Sequence, residues 1–153
     1  MRRTIVLLAV AMLLLVLPSA AIASGSVPVT IEVPTDFSQT EWPFTAHGEA
    51  VDIGLICSSG TVTDGKYIAA GRPDGGHWNF RIEKVFVCKD GSGSFTINLQ
   101  AHVYFEPYSD VGTWNVLRGD GEYSHMHGNG DLVGTQFEGG GGVLDIYTGS
   151  IQE

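Results

Sequence analysis

The chain predicts an all-β protein, a closed antiparallel barrel of roughly eight strands, with a β-sandwich as the alternative architecture. Three observations carry this. Apolar and polar residues alternate with period two along most of the chain, and no stretch after Ser24 has helical period. The third is the segment from Gly112 to Ile151, where short apolar runs are cut at close intervals by glycine. Glycine supplies the positive φ values of tight turns and costs about 1 kcal/mol relative to alanine inside a helix, so this segment reads as antiparallel strands joined by glycine turns. A sheet that is apolar on one face and has no helix to cover it must close on itself or stack on a second sheet.

Taken in order, residues 1–23 read as a cleaved secretory signal. Arg2 and Arg3 precede an unbroken apolar run from Ile5 to Leu17, followed by Pro18 and the small-residue site Ala21-Ile22-Ala23. The apolar run is shorter than the roughly twenty residues of a spanning helix. The remaining ~130 residues suffice for one domain and one core. Polar residues make 24–42 a leading arm, with the barrel domain at 43–153. Candidate strands are Val29 to Val33, Val51 to Cys57, Gly60 to Thr63, Trp78 to Cys88, Phe95 to Phe105, Thr113 to Arg118, Asp131 to Gln136 and Val143 to Ile151. Two are long. Trp78, Phe80, Ile82, Phe86 and Cys88 share one face opposite Asn79, Arg81 and Glu83, while Phe95, Ile97, Leu99, Ala101, Val103 and Phe105 alternate with polar partners. The intervening Lys89-Asp90-Gly91-Ser92-Gly93-Ser94 turns them into a hairpin. Gly139 to Gly142 forms a further hairpin loop.

The cysteines, Cys57 and Cys88, both fall in the exported part, and an even count in an oxidising compartment favours a disulfide. In strand phase Cys57 shares the inward side with Cys88, so the bridge ties the Val51–Cys57 strand to the hairpin. Their spacing is not that of a zinc knuckle, and neither has the local signature of a catalytic thiol.

The whole chain has 8 Lys+Arg against 17 Asp+Glu, a net of −9. Loss of Arg2 and Arg3 with the signal leaves 6 against 17, or −11. Such a surface repels phosphate backbones and anionic lipid, so nucleic acid is not an expected partner. An outer-membrane barrel is disfavoured by uneven strand lengths and by aromatics that do not gather into two girdles.

A series of segments carries a resemblance: Cys57-Ser58-Ser59-Gly60-Thr61-Val62, Phe86-Val87-Cys88 before Asp90-Gly91-Ser92-Gly93-Ser94-Phe95, Trp114-Asn115-Val116, Gly119-Asp120-Gly121-Glu122-Tyr123, Gly128-Asn129-Gly130 and Asp145-Ile146-Tyr147-Thr148-Gly149. Over Phe44 to Ile151 the chain resembles exported bacterial proteins of the allene oxide cyclase barrel-like group, related in architecture to dirigent proteins. The resemblance implies an eight-stranded calycin-like barrel whose interior holds an apolar small molecule. Plant allene oxide cyclases act on an oxidised fatty acid with a buried polar cluster, but no position here matches those residues, and fold alone does not transfer an activity.

Residues of possible chemistry each have a plainer role. His125 and His127 point the same way if Ser124–Gly128 is extended, as a metal pair would, yet they lack a third ligand; His47, His77 and His102 are scattered. Asp120, Glu122 and Asp131 sit among glycines and could collect calcium, but their spacing fits neither an EF-hand nor a repeated nonapeptide, and acidic turn residues explain them. Neither set is taken as a metal site, no catalytic residue is assigned and no cofactor is expected. The glycines of Gly119 to Gly130 have no following helix and do not form a dinucleotide site. Tyr104, Tyr108, Tyr123, Tyr147, Trp42, Trp78 and Trp114 either line a cavity or fill a core, and eight strands stand at the size where one small ligand fits. The preferred function is an exported, non-catalytic barrel that binds a small apolar ligand or serves as an extracellular interaction module. The alternative is an isomerase or cyclase, distinguished by a buried polar group facing an apolar pocket with a perturbed pKa. Self-association through an edge strand of the leading arm is a further expectation.

Overall fold

Strands that alternate apolar and polar side chains along their length are here joined into one antiparallel sheet that closes on itself. The computed structural model describes residues 25–72, 77–105 and 108–153. Within them β1 (Val27–Asp36), β2 (Glu41–His47), a short helix α1 (Glu49–Asp52), β3 (Ser59–Arg72), β4 (His77–Cys88), β5 (Gly93–Phe105), β6 (Tyr108–Gly121), β7 (His127–Gln136) and β8 (Gly142–Gln152) follow in order. The strands neighbour one another around the barrel in chain order. β1 and β8 complete the circle in a register running from Val27↔Ile151 to Asp36↔Gly142. The architecture is therefore a barrel and not a sandwich. The predicted signal segment, 1–23, lies outside the described residues.

The alternation decides what faces inward. Phe86 opposes Phe95 and Ile82 opposes Leu99 across the β4–β5 ladder, all on the inner face, while Arg81 and Gln100 face out. At one end the interior is solid. Phe86 stacks on Phe95 with ring centroids 4.7 Å apart, and Phe44 and Tyr147 meet Phe86 edge-on at 5.2 and 6.1 Å. Each such ring, fully buried, stabilises the fold by about 1.5–3 kcal/mol. The end is stoppered by α1 and the loop behind it, which bury Ala50 and Ile56. A disulfide joins Cys57 in that loop to Cys88 at the end of β4, with Cα atoms 6.0 Å apart. It fastens the stopper to the wall.

Two expectations are corrected. Val51 to Cys57 is not a strand: α1 and a turn occupy it, because Gly48 at φ 110° and Gly54 at φ 79° bend the chain on either side. The period-two reading fails there, since Ile53 is 58 % exposed and Ala50 and Ile56 are the buried residues. Cys57 thus bonds from a loop. Nor is 24–42 an arm, for β1 is hydrogen-bonded to both β8 and β2 and offers no free edge for self-association along those ladders. Pro28, Pro34 and Pro43 lack the ladder donor and mask these strands in sequence.

Replacing both Cys57 and Cys88 by alanine should lower the unfolding free energy by about 3 to 4 kcal/mol in denaturant titrations, and a loss well under about 1 kcal/mol would contradict the role given to the bridge.

Candidate functional site at the open end of the barrel

Above the aromatic packing the barrel is not filled. A cavity of about 470 Å³ opens at the end opposite α1, and every strand contributes to its wall. Its size falls within the ~300–1,000 Å³ typical of small-molecule pockets. Phe80, Leu99, Val103, Leu132 and Val143 make it apolar, and Trp42 and Tyr108 add aromatic surface. The indole of Trp42 is held by the hydrogen bond it donates to the Asp36 carbonyl at 2.7 Å.

Into this apolar space project Asp64, Lys84, Asp110 and Asp145. All occupy positions where strand phase calls for an apolar residue: Lys84 continues the row Phe80, Ile82, Phe86, and Asp145 stands between Val143 and Tyr147. Lys84 lies directly across the ladder from Asp64, its Nζ 2.6 Å from Asp64 Oδ1 and 4.9 Å above the Trp42 ring. The lysine side chain is 6 % exposed and the aspartate 41 %. The cation is thus committed to one wall.

The other two carboxyls form a pair through a glycine. In the β6–β7–β8 ladders Asp110 opposes Gly134 and Gly134 opposes Asp145, so the aspartates stand two strands apart with nothing but a glycine between. Adjacent strands are about 4.8 Å apart, and a side chain at 134 would fill the interval. A Cβ there would lie 2.0 Å from Asp110 Oδ1: the carboxyl occupies the space the glycine leaves. Asp110 and Asp145 are only 7 % and 5 % exposed. Thr35 donates its hydroxyl to Asp145 Oδ2 at 2.8 Å, but Oδ1 of each aspartate is buried without a hydrogen-bond partner.

Their protonation follows from this setting. Burial is the main cause that raises Asp145, to about 7, and the Asp110 charge adds to it; Lys84 and the Thr35 bond oppose. Asp110 is raised by burial against the pull of Lys84 and of the Gly134 N–H. Burial, then the charges of Asp110 and Asp145, lift Tyr108 to about 12, and the fully buried Tyr147 is raised for the same reasons. Both phenols therefore stay protonated. The hydroxyl of Tyr147 has no partner either.

The residues singled out in sequence lie elsewhere. His125 is in the β6–β7 turn and His127 opens β7, so the segment is not extended and the two do not share a strand face. Asp120 ends β6 opposite Ser94, Glu122 is in the following turn and Asp131 faces out from mid-β7. Among the described residues no group of three or more His, Cys, Asp or Glu is placed to hold a metal ion. The aromatics divide: Trp42 and Tyr108 line the cavity, Tyr147 and Trp114 fill the core, and Tyr104 is exposed on the outside. In sequence the pocket carboxyls and Lys84 carry no motif, because each is an isolated charge within an apolar row. That interruption of phase was the available signal. Comparison with protein-family models, with curated proteins and with solved structures returned no match.

Because Asp145 and Asp110 hold protons in the folded chain above the pH at which the unfolded chain has lost them, stability falls as pH rises from about 4 to about 7 and then levels. Unfolding titrations across this range should show the wild type losing stability relative to Asp145→Asn as pH rises; a constant difference would contradict the assignment.

Proposed function

We propose that the protein is an exported barrel that binds a small, largely apolar molecule in its open end, with the Asp110–Asp145 pair as the polar anchor. The observation that carries this reading is the pair of nearly buried aspartates, each with an Oδ1 that has no hydrogen-bond partner, in the lining of a largely apolar cavity. A buried acceptor without a partner costs about 1–3 kcal/mol, and a ligand that supplies a donor recovers it. The resemblance to allene oxide cyclase-like barrels supports the same use of the interior. Export is supported by the signal pattern at 1–23 and is compatible with the disulfide. Among the described residues no helix is long and apolar enough to cross a membrane.

A second reading, an isomerase or cyclase, is favoured by one observation: Asp145, raised to about 7, faces an apolar pocket. The sign of the surroundings restricts the chemistry. Three carboxyls and one committed ammonium oppose a developing anion and favour a developing cation. The reaction would begin with proton donation from Asp145 to the substrate and end with return of a proton from a neighbouring carbon to the same carboxylate, without net oxidation.

Native mass spectrometry of the protein purified from its own host should show one retained small molecule that leaves on denaturation; a protein that is always empty would contradict the binding reading. If the barrel is catalytic, that molecule incubated with emptied protein in deuterium oxide is recovered as an isomer bearing carbon-bound deuterium. Recovery unchanged and unlabelled would exclude proton-transfer catalysis.

A further inference from the structure

The cavity has an electrostatic bias that selects among apolar ligands. Its charged lining is Asp64, Asp110 and Asp145 against Lys84. Lys84 is neutralised at 2.6 Å by Asp64 and covered on one side by the Trp42 ring, so it is not presented as a free cation. The Asp110–Asp145 pair remains in the lining, and each carboxyl has a buried Oδ1 that accepts no hydrogen bond. Thr35 satisfies only Asp145 Oδ2. Trp42, Tyr108 and Phe80 add aromatic surface to the lining, and the Lys84 ammonium over the Trp42 ring shows that this surface accommodates a cation.

An anionic head placed here would meet two carboxyls at close range in a poorly solvated space. A neutral acceptor, such as a ketone, would pair only with a protonated carboxyl and would leave an ionised one without a donor. A cationic head with an apolar body satisfies every element: it neutralises the pair, donates or packs against its free oxygens, and leaves the body to the aliphatic wall. We infer that the pocket selects an organic ammonium compound, its charged nitrogen between Asp110 and Asp145 and its hydrocarbon part against Leu99, Val103 and Leu132. This rests on the ligand-binding role proposed for the pocket and adds the chemical class of the ligand.

The groups that set the charge of the site are Thr35 on β1, Asp64 on β3, Lys84 on β4, Tyr108 and Asp110 on β6, and Asp145 and Tyr147 on β8. Of these, Asp145 changes charge near neutrality, while the tyrosines remain protonated. Affinity for a permanently charged ammonium therefore rises with pH.

The test uses three probes with one phenyl body: phenethyltrimethylammonium, 2-phenylethanol and 3-phenylpropanoate. Binding is followed by calorimetry and by NMR shifts at Trp42, Asp110 and Asp145. The ammonium should bind at least about tenfold more tightly than the alcohol, the carboxylate more weakly still, and the ammonium should tighten by about tenfold between roughly pH 5 and pH 8.5. Asp145→Asn and Asp110→Asn, with folding checked by their melting curves, should each abolish most of the preference for the ammonium over the alcohol, and a preference retained in both variants would overturn the role given to the pair. Equal or tighter binding of the alcohol or carboxylate would overturn the ammonium class and leave the pocket reading standing. Failure of all three probes at millimolar concentration, with an empty protein in native mass spectrometry, would overturn both.

Discussion

Closure of the sheet between β1 and β8 is the constraint from which the rest follows. Without a helix to cover an apolar face, the ladder from Val27↔Ile151 to Asp36↔Gly142 is what joins the two ends of the sheet and gives the inward residues a common interior. Eight strands enclose a volume that side chains nearly fill. Here they fill it unevenly. The rings of Phe44, Phe86, Phe95 and Tyr147, with α1 and the Cys57–Cys88 bridge below them, occupy one end, so the space left over is gathered at the other.

Charge within that remaining space is held by specific neighbours. Lys84 has a cross-strand partner and an aromatic face; Asp110 and Asp145 have a glycine between them and one hydroxyl from Thr35. Such a pair destabilises the fold in order to hold polar groups in a largely apolar cavity, the usual sign of a working site. Gly134 is the residue that permits it. A methyl there would displace the Asp110 carboxyl, so the dyad depends on a position that makes no polar contact of its own through a side chain.

Much of the barrel was legible because period two is a local signal. The inward rows of β4 and β5 follow directly from Trp78 to Cys88 and from Phe95 to Val103, and the loop at Gly139 to Gly141 has the positive φ values that its glycines suggest. The same rule misread Val51, Ile53, Leu55 and Cys57, where two glycines override it, and overlooked β2, whose Trp42, Phe44 and Ala46 alternate around Pro43. Glycines at 128, 130 and 134 lie inside β7 and not in turns, since a Cβ would meet the β8 backbone at Gly128 and Gly130 and the Asp110 carboxyl at Gly134. The site was illegible for a different reason. Lys84, Asp110 and Asp145 come from three strands, and only the register shows that they share one cavity.

The central claim is that Asp110 and Asp145 are buried together in an apolar pocket, and the most direct measurement is a carbon-13 NMR titration of the Asp145 carboxyl in the wild type and in Asp110→Asn. The account predicts a midpoint near 7 in the wild type and a lower one once the neighbouring charge is removed. A midpoint near that of a free aspartate, about 3.9, unchanged by the substitution, would contradict it.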